Sequence, residues 1–153
     1  MVNNSWITEW NDIVLNVFYK DEQLKSLMKL PEGTKVMKFI DQYFIRAGYT
    51  TKVLTNETVR IVYGTKSIGG VNNPHVTLNE MSFDIYVKLE DIHMEDSPLS
   101  MRTHLIAQRI INLLTKSRYL GGYRFWVEGE SEMGTSTIGY ARYNVTFGYM
   151  RTY

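Results

Sequence analysis

The sequence predicts an α+β fold with a mainly antiparallel sheet, and three stretches carry that prediction. In Met81–Glu90, apolar Met81, Phe83, Ile85, Val87 and Leu89 alternate with polar or amphipathic residues. This is the period-two pattern of a half-buried strand, whose successive side chains leave opposite faces of the pleat. In Pro98–Arg118, Met101, Leu105, Ile106, Ile110, Leu113 and Leu114 recur at helical spacing. Alternation returns in Tyr123–Val127 and from about Ile138 to Met150, where Ala141, Tyr143, Val145, Phe147 and Tyr149 share a face. Residues 81–150 therefore read as a β-α-β-β unit, with the helix 98–118 packed on one face of the sheet. Two further helices precede it.

Taken in order, Trp6, Ile7, Trp10, Ile13, Val14, Val17 and Phe18 make an amphipathic helix over about 5–19, with Asn4 or Ser5 as its cap. Glu9 and Asp12 on its polar face are the wrong charge for a membrane-surface helix. Asp21–Gly33 is a charged connection with a helical turn around Leu24–Met28. Thr34 caps a second helix with a stripe of Val36, Phe39, Ile40 and Tyr43, and Gly48 stops it. Thr50–Leu54 and Thr58–Tyr63 read as a hairpin. Gly64–Glu80, with Gly69-Gly70 and Asn72-Asn73-Pro74, is expected to be a long irregular arm ordering against a neighbour. An acidic turn, Asp91–Asp96, precedes the main helix, which Ser97 caps and Pro98 enters. Arg102, Gln108, Arg109, Asn112 and Lys116 fall on its solvent side, and Gly121-Gly122 end it. Gly129–Thr137 is expected to be a hairpin loop.

The 153 residues form one domain, with a helical region over 1–48 and a sheet-and-helix core over 50–153. Hydrophobic content of 44% and charged content of 22% are ordinary for a globular chain. A net charge of +1 offers no bulk attraction for nucleic acid. The absence of cysteine excludes disulfides, thiolate metal sites and Cys nucleophiles. The first ten residues lack the apolar core of a signal peptide, and no apolar run approaches the ~20 residues of a membrane span. Eleven tyrosines, many expected on solvent-facing sides of strands, favour use as an interface.

Candidates for chemistry are few. Glu90, Asp91, His93, Glu95 and Asp96 offer oxygen and imidazole ligands, but without the central Gly and distal Glu of a calcium loop. His75, His93 and His104 lack zinc-site spacing. Asp84, Lys88 and Glu90 on one strand face could hold a divalent ion and a phosphate, as in a metal-dependent nuclease or hydrolase. Alternating charges are also the ordinary solvated face of a strand. Arg102, Arg109, Lys116 and Arg118 form a basic stripe suited to nucleic acid or to an inter-subunit row of ion pairs. The residues point to no catalytic role, no cofactor and no resident metal.

The order of elements, with Phe83-Asp84-Ile85, the helix Ile106–Leu114 and the late strand Arg142–Phe147, resembles the tail terminator and tail completion (head–tail joining) proteins of tailed bacteriophages. The resemblance spans roughly residues 55–150. It implies a structural virion protein that forms a ring, commonly a hexamer, capping the tail tube and docking it to the neck. DNA would pass through the channel without being read, and assembly would take place in the host cytoplasm. Its expected partners are other copies of itself, the tube and the neck or connector proteins. The two loops and the basic stripe then supply the contacts: Ser67, Ile68, Gly69, Gly70, Val71, Asn72 and Asn73 on one loop, Glu130, Ser131, Glu132 and Met133 on the other, with Arg102 and Arg109 on the helix. The helical region 1–48 departs from the pattern and leaves room for a neck, sheath-associated or baseplate station. A bacterial adaptor domain with no virion role is the third alternative.

Overall fold

The computed structural model describes residues 6–48, 56–67, 76–116, 123–135 and 137–152. Helix α1 (Trp6–Ile13) runs into a π-helical segment, Val14–Tyr19, and α2 (Glu22–Leu27) follows. A short α3 (Val36–Lys38) continues as a second π turn, Phe39–Tyr43. The strands are β1 (Phe44–Arg46), β2 (Val59–Ser67), β3 (Val76–Lys88), β4 (Tyr123–Met133) and β5 (Tyr140–Thr152), with α4 (Arg102–Lys116) between β3 and β4. They form one sheet in the order β1-β2-β3-β5-β4, parallel only between β1 and β2. The α+β class and the β-α-β-β unit stand as the alternation indicates.

Register explains the core. Met81, Phe83, Ile85 and Val87 of β3 lie opposite Phe147, Val145, Tyr143 and Ala141 of β5, so one face of the sheet is continuously apolar. Ile106, Ala107, Ile110 and Leu114 of α4 and Val14, Val17 and Phe18 of the first π segment close over it. Each fully buried large side chain contributes on the order of 1.5–3 kcal/mol. Phe18, Phe44, Phe83 and Tyr63 form an aromatic knot at its centre, with Phe18 stacked on Phe44 at 4.8 Å.

Several local expectations give way to tertiary structure. The segment Gly64–Glu80 is not one long loop: Gly64–Ser67 extends β2, Val76–Glu80 extends β3, and the two pair as far as Ser67↔Asn79. Residues 68–75 lie outside the described residues. Among the described residues the partners of β2 are β1 and β3; the expected hairpin strand over 50–54 lies outside them. The second helix stops at Tyr43 because Phe44–Arg46 pairs with Ile61–Tyr63. Thr34 is not its cap; Lys35 holds that position, and the Thr34 hydroxyl donates to the Pro31 carbonyl. The main helix begins at Arg102, since a His93↔Met101 bridge and the Met94 N–H to the Ser100 carbonyl hold 93–101 as a closed loop. Gly129–Met133 belongs to β4 rather than to a loop, and β5 begins at Tyr140. The expected cap at Asn4 or Ser5 and the stop at Gly121-Gly122 are outside the described residues.

Asp21, in extended backbone, caps α2 by accepting from the Leu24 N–H at 2.8 Å. At the other end Leu30 N bonds to Lys25 O and Lys29 N to Ser26 O, a Schellman stop with Lys29 at φ 51 where glycine is usual. The Lys29 ammonium is held 3.0 Å from Asp91, which gives this strained position a use no glycine has.

Candidate functional site

The feature of the fold best suited to recognition is the free side of β4. Among the described residues β4 pairs only with β5, leaving eleven residues of strand edge. Such an edge is a template for further pairing unless it is interrupted. Two features interrupt it. The register slips between Val127 and Gly129, so that Glu128 is an extra, bulged residue. Glu128, Glu130 and Glu132 then place three carboxylates along the exposed strand. Large apolar groups accompany them: Trp126 is 39% exposed, Val127 38% and Met133 40%.

The bulge also decides which face each side chain takes. Ahead of it, Trp126 lies opposite Gly148, and its indole N–H donates to Glu128 Oε1 at 2.5 Å. A Cβ on residue 148 would collide with the Trp126 ring, so this glycine is the seat of the indole. Beyond it, Glu130 and Glu132 lie opposite Val145 and Tyr143, on the α4 side of the sheet. There the Tyr143 hydroxyl donates to Glu130 at 3.4 Å, and His104 stands 3.6 Å from Glu132. Burial and then the Glu130 and Glu132 charges push the Tyr143 phenol up.

On the opposite face of the sheet, Asp84 gathers donors across the strands. Its Oδ1 accepts from Arg142 Nε at 3.1 Å, Arg142 Nη2 at 3.0 Å and Asn144 Nδ2 at 3.0 Å. Lys88, the next member of the nuclease set, donates to Asn56 at 2.8 Å and stands 2.9 Å from Glu90. Asp84, Lys88 and Glu90 are thus all engaged within the fold. No group of three or more His, Asp or Glu is placed to hold a metal ion among the described residues. No described helix is long and apolar enough to cross a membrane.

The predicted contact residues are scattered. Ser67 ends β2; Ile68, Gly69, Gly70, Val71, Asn72 and Asn73 lie outside the described residues. Glu130, Ser131, Glu132 and Met133 come together, but as the last four residues of an edge strand rather than a loop. Arg102 is not on a solvent stripe. It is 3% exposed, donating from Nε to the Asp91 carbonyl and from Nη1 to the Leu27 carbonyl, each at 2.8 Å. Arg109 is half-buried and grips Asp21 with two nitrogens, Nε to Oδ2 at 2.9 Å and Nη2 to Oδ1. Burial raises the Asp21 carboxyl, but the Arg109 hydrogen bond, the Leu24 N–H and the Arg109 and Lys25 charges outweigh it and hold it below the ordinary range. Both arginines therefore bind α4 to the N-terminal region.

Sequence reasoning expected many tyrosines on the solvent-facing sides of strands, whereas the exposed large side chains of β4 are Trp126, Val127 and Met133. No described tyrosine is exposed; Tyr43, Tyr63, Tyr140 and Tyr149 are buried. It also missed a buried ion pair, Glu57–Arg60, 2.8 Å apart with 4% exposure on each side chain. Gln42 Nε2 donates to Glu57 Oε1 at 3.0 Å, and the Tyr140 hydroxyl donates to the Glu57 carbonyl at 2.7 Å.

A second feature lies at the far end of the sheet. Beside β1 a cleft of about 470 Å³ is lined by Asn11, Asp12, Val14, Leu15, Val36, Ile40, Arg46 and Tyr63. Next to it Met37 is 69% exposed.

Compared with known proteins, residues 11–149 match the model of a family described as YomW. No curated protein matches the chain.

Proposed function

From the premise that this chain belongs to the YomW family, a phage-derived family of prophage type, we propose that it is a structural virion protein. In this reading it forms a homo-oligomeric ring, a hexamer by its resemblance to tail terminators, at the head-proximal end of the phage tail. There it closes the tail tube and joins it to the neck. The observation that carries the reading is the free edge of β4. An eleven-residue strand with no described partner on one side, exposing Trp126, Val127 and Met133 on its two faces, supports a surface used for contact rather than for solvent alone.

The fold supports the role in a second way. Arg102 and Arg109 tie α4 to the N-terminal helices, so each copy is a stiff unit and assembly would spend little on ordering its core. A net charge of +1 suits a channel that lets DNA pass without gripping it. Other stations in the neck, sheath or baseplate are separated from this one by where the protein binds.

The test is to mix the purified protein with polymerised tail tubes and image them by negative stain. Density confined to one end of each tube is the expected result. Decoration along the tube wall would move the protein to a sheath-like station, and bare tubes would overturn the assignment.

A further inference from the structure

We infer that the cleft beside β1 binds a small amphipathic acid, its carboxylate on Arg46 and Tyr63 and its apolar tail along Val14, Leu15, Val36 and Ile40. The site lies within one copy of the chain, so it goes beyond the ring reading and stands or falls separately from it.

The walls are unusual in their backbone. Val14 and Leu15 belong to the π-helical segment Val14–Tyr19, and Ile40 belongs to the second one, Phe39–Tyr43. Such turns are rare and are frequent at functional sites; here two of them flank one cleft. Its volume of about 470 Å³ falls in the range of small-molecule sites, which combine apolar walls with a few polar groups that fix orientation.

Those polar groups set the sign of the ligand. Arg46 lies opposite Tyr63 in the β1–β2 register, two residues on from Phe44 opposite Ile61. By strand alternation Arg46 and Tyr63 share the face of the sheet that carries the buried Phe44 and Ile61. A guanidinium half-buried on that side attracts an anion more strongly than one out in water, because screening is weaker there. Against Tyr63 stands Trp10, its ring 5.7 Å away and its buried Nε1 without a hydrogen-bond partner among the described residues. Burial pushes the Tyr63 phenol up, while the Arg46 charge and the nearby Trp10 N–H pull the other way. Three donors thus meet at one end of the cleft, and a buried donor left without an acceptor is uncommon. A carboxylate that accepts from Arg46 and from the Tyr63 hydroxyl turns the phenol's lone pairs toward the indole N–H and satisfies it. The one carboxylate of the lining, Asp12, is exposed at the rim with Asn11, where water screens its repulsion.

The test is a titration of the isotope-labelled chain with octanoate, read by NMR at the indole N–H signals. That of Trp10 is assigned as the one missing from Trp10→Phe. A saturable shift at Trp10 is expected, with the Trp126 signal unmoved. Octanol and octylamine keep the tail without the carboxylate and are expected to bind about tenfold more weakly or worse. Arg46→Met is expected to weaken octanoate about ten- to a hundredfold, and Asp12→Asn to leave its binding equal or tighter. Ile40→Trp, at an exposed position, is expected to fill the cleft and abolish the shift with thermal unfolding unchanged, and it carries the test should Arg46→Met fail to fold. No saturable shift, octylamine binding as tightly as octanoate, or binding that survives Ile40→Trp would each overturn the site, whatever the mass of the oligomer.

Discussion

Removing one partner of the buried Glu57–Arg60 pair is expected to damage the fold far more than removing both. With 4% exposure on each side chain, neither charge can turn to water when the other is deleted. Arg60→Met takes away the Nη2 donor to Glu57 and the Nε donor to the Gln42 carbonyl at 3.0 Å. It leaves the carboxylate with Gln42 and the Asn56 N–H at 3.3 Å as neutral donors. Breaking such a pair costs about 3–5 kcal/mol. At roughly 2–4 °C per kcal/mol for a chain of this size, the melting temperature falls by about 6–20 °C. The double change Glu57→Leu with Arg60→Met exchanges the pair for apolar volume and should recover most of that loss, because the desolvation of two charges is relieved together. Urea unfolding of the wild type, both single variants and the double variant closes the cycle. A loss under about 1 kcal/mol for Arg60→Met, or a double variant that costs the sum of the singles, would refute the claim that this is a coupled, desolvated pair.

Further changes probe the other structural assignments. Arg102→Met keeps the buried stem but deprives the Asp91 and Leu27 carbonyls of a charged donor, and should cost about 3 kcal/mol or more in urea unfolding; Arg102→Lys should recover at most part of it. The Asp21 carboxyl is lowered on folding, so its contribution is fully present above the unfolded value of about 3.9 and is lost as pH falls through the lower folded value. Asp21→Asn should therefore flatten the acid limb of a stability–pH curve, and an unchanged limb would contradict the assignment. Gly148→Val should push the indole of Trp126 off the sheet, with a red shift of its emission resolved in a variant lacking the other tryptophans; an unshifted spectrum would show that the ring is not seated there.

The legible parts of this fold are those where one face is buried along a whole element. Met81, Phe83, Ile85 and Val87, and Val145, Phe147 and Tyr149 opposite and beside them, are buried as their alternation requires. Alternation failed at strand ends held by pairing alone. Thr65-Lys66-Ser67 and Asn79-Glu80 carry no apolar signal, yet the β2–β3 ladder continues through them. Gly129–Met133 reads as a loop because an edge strand with acids on it has no periodicity to show. Arg102 was hidden by its charge. Its spacing of four from Ile106 and eight from Ile110 places it on the buried stripe of α4, and that spacing was the available signal. The Asp84–Arg142 contact spans 58 residues and depends on a strand register that a linear pattern does not contain.

Ring formation is the central claim, and the mass of the purified protein in solution tests it most directly. Light scattering across a concentration series should give one species at a multiple of the 17.9 kDa chain, with closed rings in negative stain. A 17.9 kDa monomer throughout, with no ring in any field, would contradict it.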